Sequence, residues 1–330
     1  MDILRAMDAS VSVDRIKRAA SVIDPVFLHS PQYDCEPLSK RLGVSTVLKV
    51  ESVNPIRSFK GRGTDFLLHE LVATEKGFVC ASAGNFGQGM AYACRKRGIP
   101  LTVFASNEAS PLKIERMRSL GARIELEVGD FDQAKDAAKR HAPEHGQIYI
   151  EDGKLGAIAE GAGTMALELT ERRARAGRPR LDQLDAVFVP LGNGSLVNGV
   201  GTWIKHASPT TRVIAVCAEG APSMAISWQQ HRAVEAPSSS IADGIAVRVP
   251  IPEAVEIMAR TVDDVMLVSD AAMLEWTGRA FFDAGLVIEP SAAAGLAAIA
   301  QSATGLQGKR VATILTGGNL TEQQTRDWLG

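Results

Sequence analysis

Lys60 lies within Ser58-Phe59-Lys60-Gly61-Arg62-Gly63, at a point where a helix is expected to begin and a positive charge is poorly placed. The run Val47-Leu48-Lys49-Val50 reads as a strand, Asn54-Pro55 as a turn, Ser58 as the N-cap and Thr64 to Leu71 as helix, with Lys60 in the first turn. Unpaired N–H groups there disfavour an ammonium, so the neutral amine is more accessible than on an exposed lysine. A neutral amine attacks an aldehyde and forms a Schiff base. On this segment alone, a solvated lysine in a glycine-rich turn is the alternative.

Three loops have the composition that a phosphorylated aromatic aldehyde requires. Ser82-Ala83-Gly84-Asn85-Phe86-Gly87-Gln88-Gly89 follows the strand Phe78 to Ala81 and precedes a helical run from Met90 to Arg97. Its small residues let backbone N–H groups converge on an anion, and Asn85 adds a side-chain donor and acceptor. Gly192-Asn193-Gly194-Ser195-Leu196 connects the strand Ala186 to Leu191 to a helix through Trp203, a place suited to a phosphate. Thr316-Gly317-Gly318-Asn319 follows the strand Val311 to Leu315 and offers a neutral hydroxyl at a strand end. A dinucleotide site is the rival use of the second loop, with Glu219 ending the strand Val213 to Cys217. It fails at Val197, where the fingerprint needs its third glycine for close helix–strand packing. A structural turn without a ligand is the other alternative.

Together these segments resemble the fold type II pyridoxal-phosphate enzymes, most closely the threonine/serine dehydratase branch. The resemblance runs from Leu28 through Leu320. It includes Ile158-Ala159-Glu160-Gly161-Ala162-Gly163-Thr164, Ile241-Ala242-Asp243-Gly244, Val265 to Ser269 and Ile288-Glu289-Pro290, beside the lysine segment and the three loops. It implies that Lys60 holds pyridoxal 5'-phosphate as a Schiff base and later moves protons at the substrate. Phe59 would lie against the cofactor ring, Asn85 would bond its phenolic oxygen, and Glu289 would lie near the ring. The backbone of Gly192, Asn193, Gly194, Ser195 and Leu196 would hold the phosphate, and Thr316 would face the pyridine nitrogen. Ser82, Ala83, Gly84, Asn85, Phe86 and Gly87 would bind the substrate carboxylate through backbone N–H groups. Asn193 and Ser195 depart from the family's near-continuous glycines, and Phe86 replaces a histidine common after the asparagine.

The chemistry implied is α,β-elimination. A hydroxyl facing the pyridine nitrogen makes the ring a moderate electron sink, which suits prompt loss of a β-substituent. Lys60 would take the α-proton, and the β-hydroxyl would leave with proton assistance from the cofactor phosphate. Threonine would give 2-oxobutanoate and serine pyruvate, each with ammonia; a specialised analogue is a further substrate. An amino-acid racemase and a β-replacement synthase are the alternatives in the same fold. The synthases usually carry Thr-Ser-Gly-Asn-Thr-Gly where this chain has Ser82 to Gly87. Racemization needs an acid–base group on the face opposite Lys60; serine racemases use a serine before Gly-Asn, and here that position is Ala83. A noncatalytic cofactor-binding protein is the alternative from another class, and retention of Lys60 argues against it.

Composition agrees with a soluble enzyme, and the resemblance implies a small amino acid as its substrate. The 330 residues are 45% hydrophobic and 22% charged with a formal net charge of −2, which supports sizeable cores and gives no attraction to nucleic acid. No apolar run approaches a membrane span, and Asp2, Arg5 and Asp8 interrupt a signal sequence, so a cytoplasmic protein is expected. Cys35, Cys80, Cys94 and Cys217 have neither metal-ligand nor disulfide-framework spacing and read as reduced thiols. His141 and His145 have i,i+4 spacing that Pro143 is expected to spoil. No metal is expected: some relatives bind a cation through two acids and a carbonyl, whereas here Glu219 and the Ser223 carbonyl are followed by Ala225.

Strands at Leu101 to Ala105 and Arg123 to Val128 join those above in alternation with helices at Ser110 to Leu120, Phe131 to His141 and Gly163 to Ala176, indicating an α/β fold with parallel sheets. The resemblance implies a two-domain architecture of parallel twisted sheets with flanking helices. Residues 56–151 would form a small α/β domain, and 1–55 with 152–330 a large one, with the cofactor between them and a homodimer as the assembly. Arg172 to Arg180 reads as a basic surface stretch, Ser238-Ser239-Ser240 as a loop, and Ala292 to Ala300 as a packed helix. An end at Gly330 leaves no room for the regulatory domain of biosynthetic threonine dehydratases, so feedback by isoleucine is not implied.

Overall fold

The computed structural model describes residues 8–71, 75–171 and 184–329. Two sheets organise them. Strands β1 (Gln32–Asp34), β2 (Ser45–Val50), β7 (Ala186–Pro190), β8 (Arg212–Ala218), β9 (Asp264–Val268) and β10 (Arg310–Leu315) form a six-stranded sheet in the order β1-β2-β10-β7-β8-β9. Of its pairings only the edge pair β1–β2 is antiparallel. Strands β3 (Phe78–Ala81), β4 (Leu101–Ser106), β5 (Arg123–Glu127) and β6 (Ile148–Ile150) form a parallel sheet in the order β5-β4-β3-β6.

The near-continuous apolar runs follow from covering both faces of a parallel sheet. Along β8, Val213, Ala215 and Cys217 enter one core while Ile214, Val216 and Ala218 enter the other. Along β3, Phe78 and Cys80 pack on one side and Val79 and Ala81 on the opposite side. All four cysteines are free and buried, and burial pushes the thiols of Cys94 and Cys217 up to about 12.

Several elements depart from the sequence reading. The helix after the lysine segment is Lys60–Glu70, four residues earlier than expected, with Phe59 rather than Ser58 at the N-cap. The glycines that suggested a turn are inside the helix because their neighbours come so close. A Cβ on Gly63 would stand 2.5 Å from the Ile158 carbonyl oxygen, and one on Gly61 would stand 2.3 Å from the Phe27 ring. The next helix is Asn85–Arg97, so Asn85 opens a helix instead of lying in a loop. Another is Phe131–His145, running through Pro143 and keeping His141 and His145 on one face with their rings stacked 3.8 Å apart. The expected helix Gly163 to Ala176 begins earlier, as Gly156–Glu171, and its expected end lies outside the described residues. The Arg172 to Arg180 stretch, Asp2 and Arg5 lie outside the described residues.

Candidate active site

The carboxyl ends of both sheets open into one cavity of about 830 Å3. Ser82 follows β3, Asp152 follows β6, Gly192 follows β7 and Thr316 follows β10, and all four line it. Strand ends in open α/β sheets are where such crevices form.

Lys60 enters from the first residue of its helix, and its Nζ stands 4.9 Å from the Phe59 ring centroid and 5.9 Å from that of Phe86. Contrary to the picture of an uncompensated amine, Nζ donates to Asp152 Oδ2 at 2.5 Å. Asp152 escaped the sequence reading; its only signal was a charged pair, Glu151-Asp152, directly after an apolar strand. Behind Lys60, the next residue but one is a fully buried arginine. Arg62 donates to Glu51 at 2.9 and 3.0 Å and to Glu168 at 2.6 and 3.0 Å, anchoring the helix to β2 and to the helix Gly156–Glu171.

The asparagine loop is pinned from within. Gly84 and Gly87 give their N–H groups to Ser82 Oγ at 3.2 and 2.9 Å, so those of Ala83, Asn85 and Phe86 are the ones left to meet an anion. The Asn85 amide donates to Glu289 Oε1 at 2.7 Å, and its oxygen accepts from Asn319 Nδ2 at 2.7 Å. Burial pushes the Glu289 carboxyl above the ordinary range, against the pull of Lys113 and the Asn85 and Asn319 hydrogen bonds. Lys113, also missed in the sequence, is buried and pairs with Asp243, and a Cβ on Gly84 would stand 3.9 Å from its Nζ. Burial lowers the affinity of its amine for a proton, and Asp243 and Glu289 reverse this so that the net shift is upward.

The glycine loop turns through Gly194 at φ +97°, where a Cβ would press within 2.9 Å of the Ala254 methyl. The helix Ser195–Ala207 begins there, and Leu196 and Val197 of its first turn line the cavity. Asn193 Oδ1 accepts from Ser195 N at 3.1 Å and so shapes the loop, while the single hydrogen of Ser195 Oγ has two acceptors within 3.0 Å, Asn193 Oδ1 and Asp152 Oδ1. Thr316 is buried at the cavity wall, and its carbonyl accepts from Phe59 N at 3.0 Å.

A nucleophilic amine thus faces two helix starts, an aromatic wall and a strand-end hydroxyl. Residues 23–317 match the family model described as pyridoxal-phosphate dependent enzyme. The chain belongs to that family. The L-threonine ammonia-lyase of Thermotoga maritima is 32% identical over 94% of this chain and 76% of its own length. The L-threonine ammonia-lyase of Geobacter sulfurreducens is 33% identical over 86% and 69% respectively. Among solved structures, the processed form of threonine deaminase isoform 2 from Solanum lycopersicum superposes with a TM-score of 0.86 at 26% identity, covering 99% of this chain and 96% of the other. Maize serine racemase superposes with a TM-score of 0.87, at 26% identity and 96% coverage of both chains. The lining suits the cofactor: the Ser195–Ala207 helix start would take a phosphate, and Lys60 lines the same cavity as that helix start and the asparagine loop. Glu219 is exposed and the Ser223 carbonyl accepts from Ser227 Oγ at 2.7 Å. Among the described residues no cluster of three or more His, Cys, Asp or Glu gathers as a metal site.

Proposed function

We propose that the protein is an ammonia-lyase that removes the β-hydroxyl and the amino group of L-threonine or L-serine, giving a 2-oxo acid and ammonia. The observation that carries this is that Lys60 and Ala83, which has no exchangeable proton, line the same cavity. Its threonine ammonia-lyase relatives support the same substrate class.

Bound pyridoxal phosphate supplies a conjugated ring that accepts the electron pair left at the substrate α-carbon. The N–H groups of Ala83, Asn85 and Phe86 bind the substrate carboxylate, and Lys60 Nζ takes the proton from the α-carbon. The glycine loop would hold the phosphate through its backbone N–H groups other than that of Ser195, which Asn193 takes, Asn85 would orient the ring oxygen, and Thr316 would offer the ring nitrogen a hydroxyl in place of a charge. Phe59 and Phe86 keep water from the amine. The enamine released after loss of the β-hydroxyl hydrolyses to 2-oxobutanoate from threonine or pyruvate from serine. The division into a small domain of 56–151 and a large one of 1–55 with 152–330 belongs to the same reading, as do a homodimer and a cytoplasmic location. Among the described residues no helix is long and apolar enough to cross a membrane.

The protein with cofactor should be yellow, and borohydride followed by peptide mapping should place the adduct on Lys60. Lys60→Ala should lower kcat by about 10³-fold or more. An adduct on another lysine, or a yellow protein that releases no 2-oxo acid from either amino acid, would refute the assignment.

A further inference from the structure

The roles above leave Asp152 unassigned, although it makes the closest contact to the reactive amine. Its Oδ2 accepts from Lys60 Nζ at 2.5 Å, and its Oδ1 stands 3.0 Å from Ser195 Oγ, whose one hydrogen goes either to it or to Asn193 Oδ1, so the carboxylate is seated between the amine and the glycine loop with one oxygen on Lys60. Other acids at the cavity have partners of their own. Asp132 holds Arg248, Glu151 holds Lys135 and Asp243 holds Lys113, while Asp270 accepts from Ser240 Oγ and Ile241 N. Lys60 is the cation on Asp152.

Such a partner matters at one moment of the reaction. When Lys60 takes the α-proton, the Cα–H bond breaks, an N–H bond forms, and the electron pair remains with the substrate. A neutral amine becomes an ammonium inside a largely buried cavity. A carboxylate already fixed within contact distance meets that charge without reorganising, which is where electrostatic groups lower barriers most. We propose that Asp152 is a positioning residue for Lys60, holding its amine at the start of the phosphate-loop helix and stabilising the ammonium that α-proton removal creates. This rests on the lyase reading given above.

The test compares the parent protein with Asp152→Asn and Asp152→Glu. Three quantities are read: the rate at which cofactor-free protein takes up pyridoxal phosphate on Lys60, followed by absorbance and borohydride mapping; kcat and KM for L-threonine; and the thermal midpoint. Asp152→Asn should slow uptake and lower kcat on the order of 10²-fold, with KM little changed and the midpoint kept within about 3 °C. Asp152→Glu, which restores the charge, should recover part of both rates. Parent-like uptake and kcat in Asp152→Asn would overturn the inference, as would a loss confined to KM. The lyase reading fails separately, if the parent itself traps no cofactor on Lys60 or forms no 2-oxo acid.

Discussion

Lys60 and Asp152 are 92 positions apart, and nothing local to either announces the contact. The lysine was legible because a charge among small residues at a helix start is locally anomalous. The loops of Ser82 to Gly87 and Gly192 to Leu196 were legible for the same reason. Asp152, Lys113 and Asn319 are ordinary polar residues in their own segments, and only the meeting of strand ends from two sheets gives them partners. Ala83 gives the sharpest prediction at this scale. With no proton donor there, L-threonine should yield ammonia and 2-oxobutanoate with little D-isomer, and Ala83→Ser should introduce measurable racemization. Chiral chromatography of residual amino acid beside a 2-oxo acid assay checks both, and abundant D-isomer from the parent protein would defeat the elimination reading.

At the scale of elements, the strands read from the sequence, β3, β7, β8 and β10 among them, were placed to within a residue or two because parallel strands covered on both faces are continuous apolar runs, whereas the three-residue strands β1 and β6 are too short to show one. Helix starts were less so, since close-packed glycines look like turn glycines until their neighbours are known. Gly63 is the clearest case: the backbone oxygen of Ile158 cannot move aside as a flexible side chain could. Gly63→Ala should therefore destabilise the protein by about 1–3 kcal/mol in urea unfolding, and parent-like stability would show that the two helices have slack. The same helix carries an acid-sensitive anchor. Burial alone would raise the Glu168 carboxyl, but Arg62 and Lys49 hold it down to about 2, from an ordinary 4.5. A depressed acid adds stability that is present above its unfolded value and lost as pH falls through the folded one. The parent protein should lose stability between about pH 4.5 and pH 2 through this group. Glu168→Gln should be weaker at pH 7, because Arg62 and Lys49 then lack a buried counter-charge, and should show a shallower decline in acid. Equal acid slopes in urea titrations at pH 7 and pH 3 would remove Glu168 from the account.

For the whole molecule, catalysis depends on two sheets keeping one cavity between them, and polar contacts cross it at several points. Arg116 on the helix Pro111–Ser119 donates to Asn319 beyond β10, and Lys113 on that helix reaches Asp243. On another side, Arg248 donates through Nε to Asp132 Oδ2 at 2.7 Å, joining the loop before the helix Pro252–Thr261 to the helix Phe131–His145. Both Arg248 and Asp132 line the cavity, and the arginine side chain is 47% exposed. A pair so accessible contributes little to global stability, about 0–1 kcal/mol, and salt screens it. Its effect should therefore fall on how well the cavity holds a small substrate. Arg248→Ala should raise KM for L-threonine by about 3- to 10-fold, since a binding loss of up to ~1.4 kcal/mol is at most tenfold. kcat and the thermal midpoint should stay near the parent values. Added salt should raise the KM of the parent toward that of the variant while leaving the variant almost unmoved. If the variant instead melts several degrees lower, or its KM responds to salt as the parent's does, the contact is a general brace and does not hold the cavity rim.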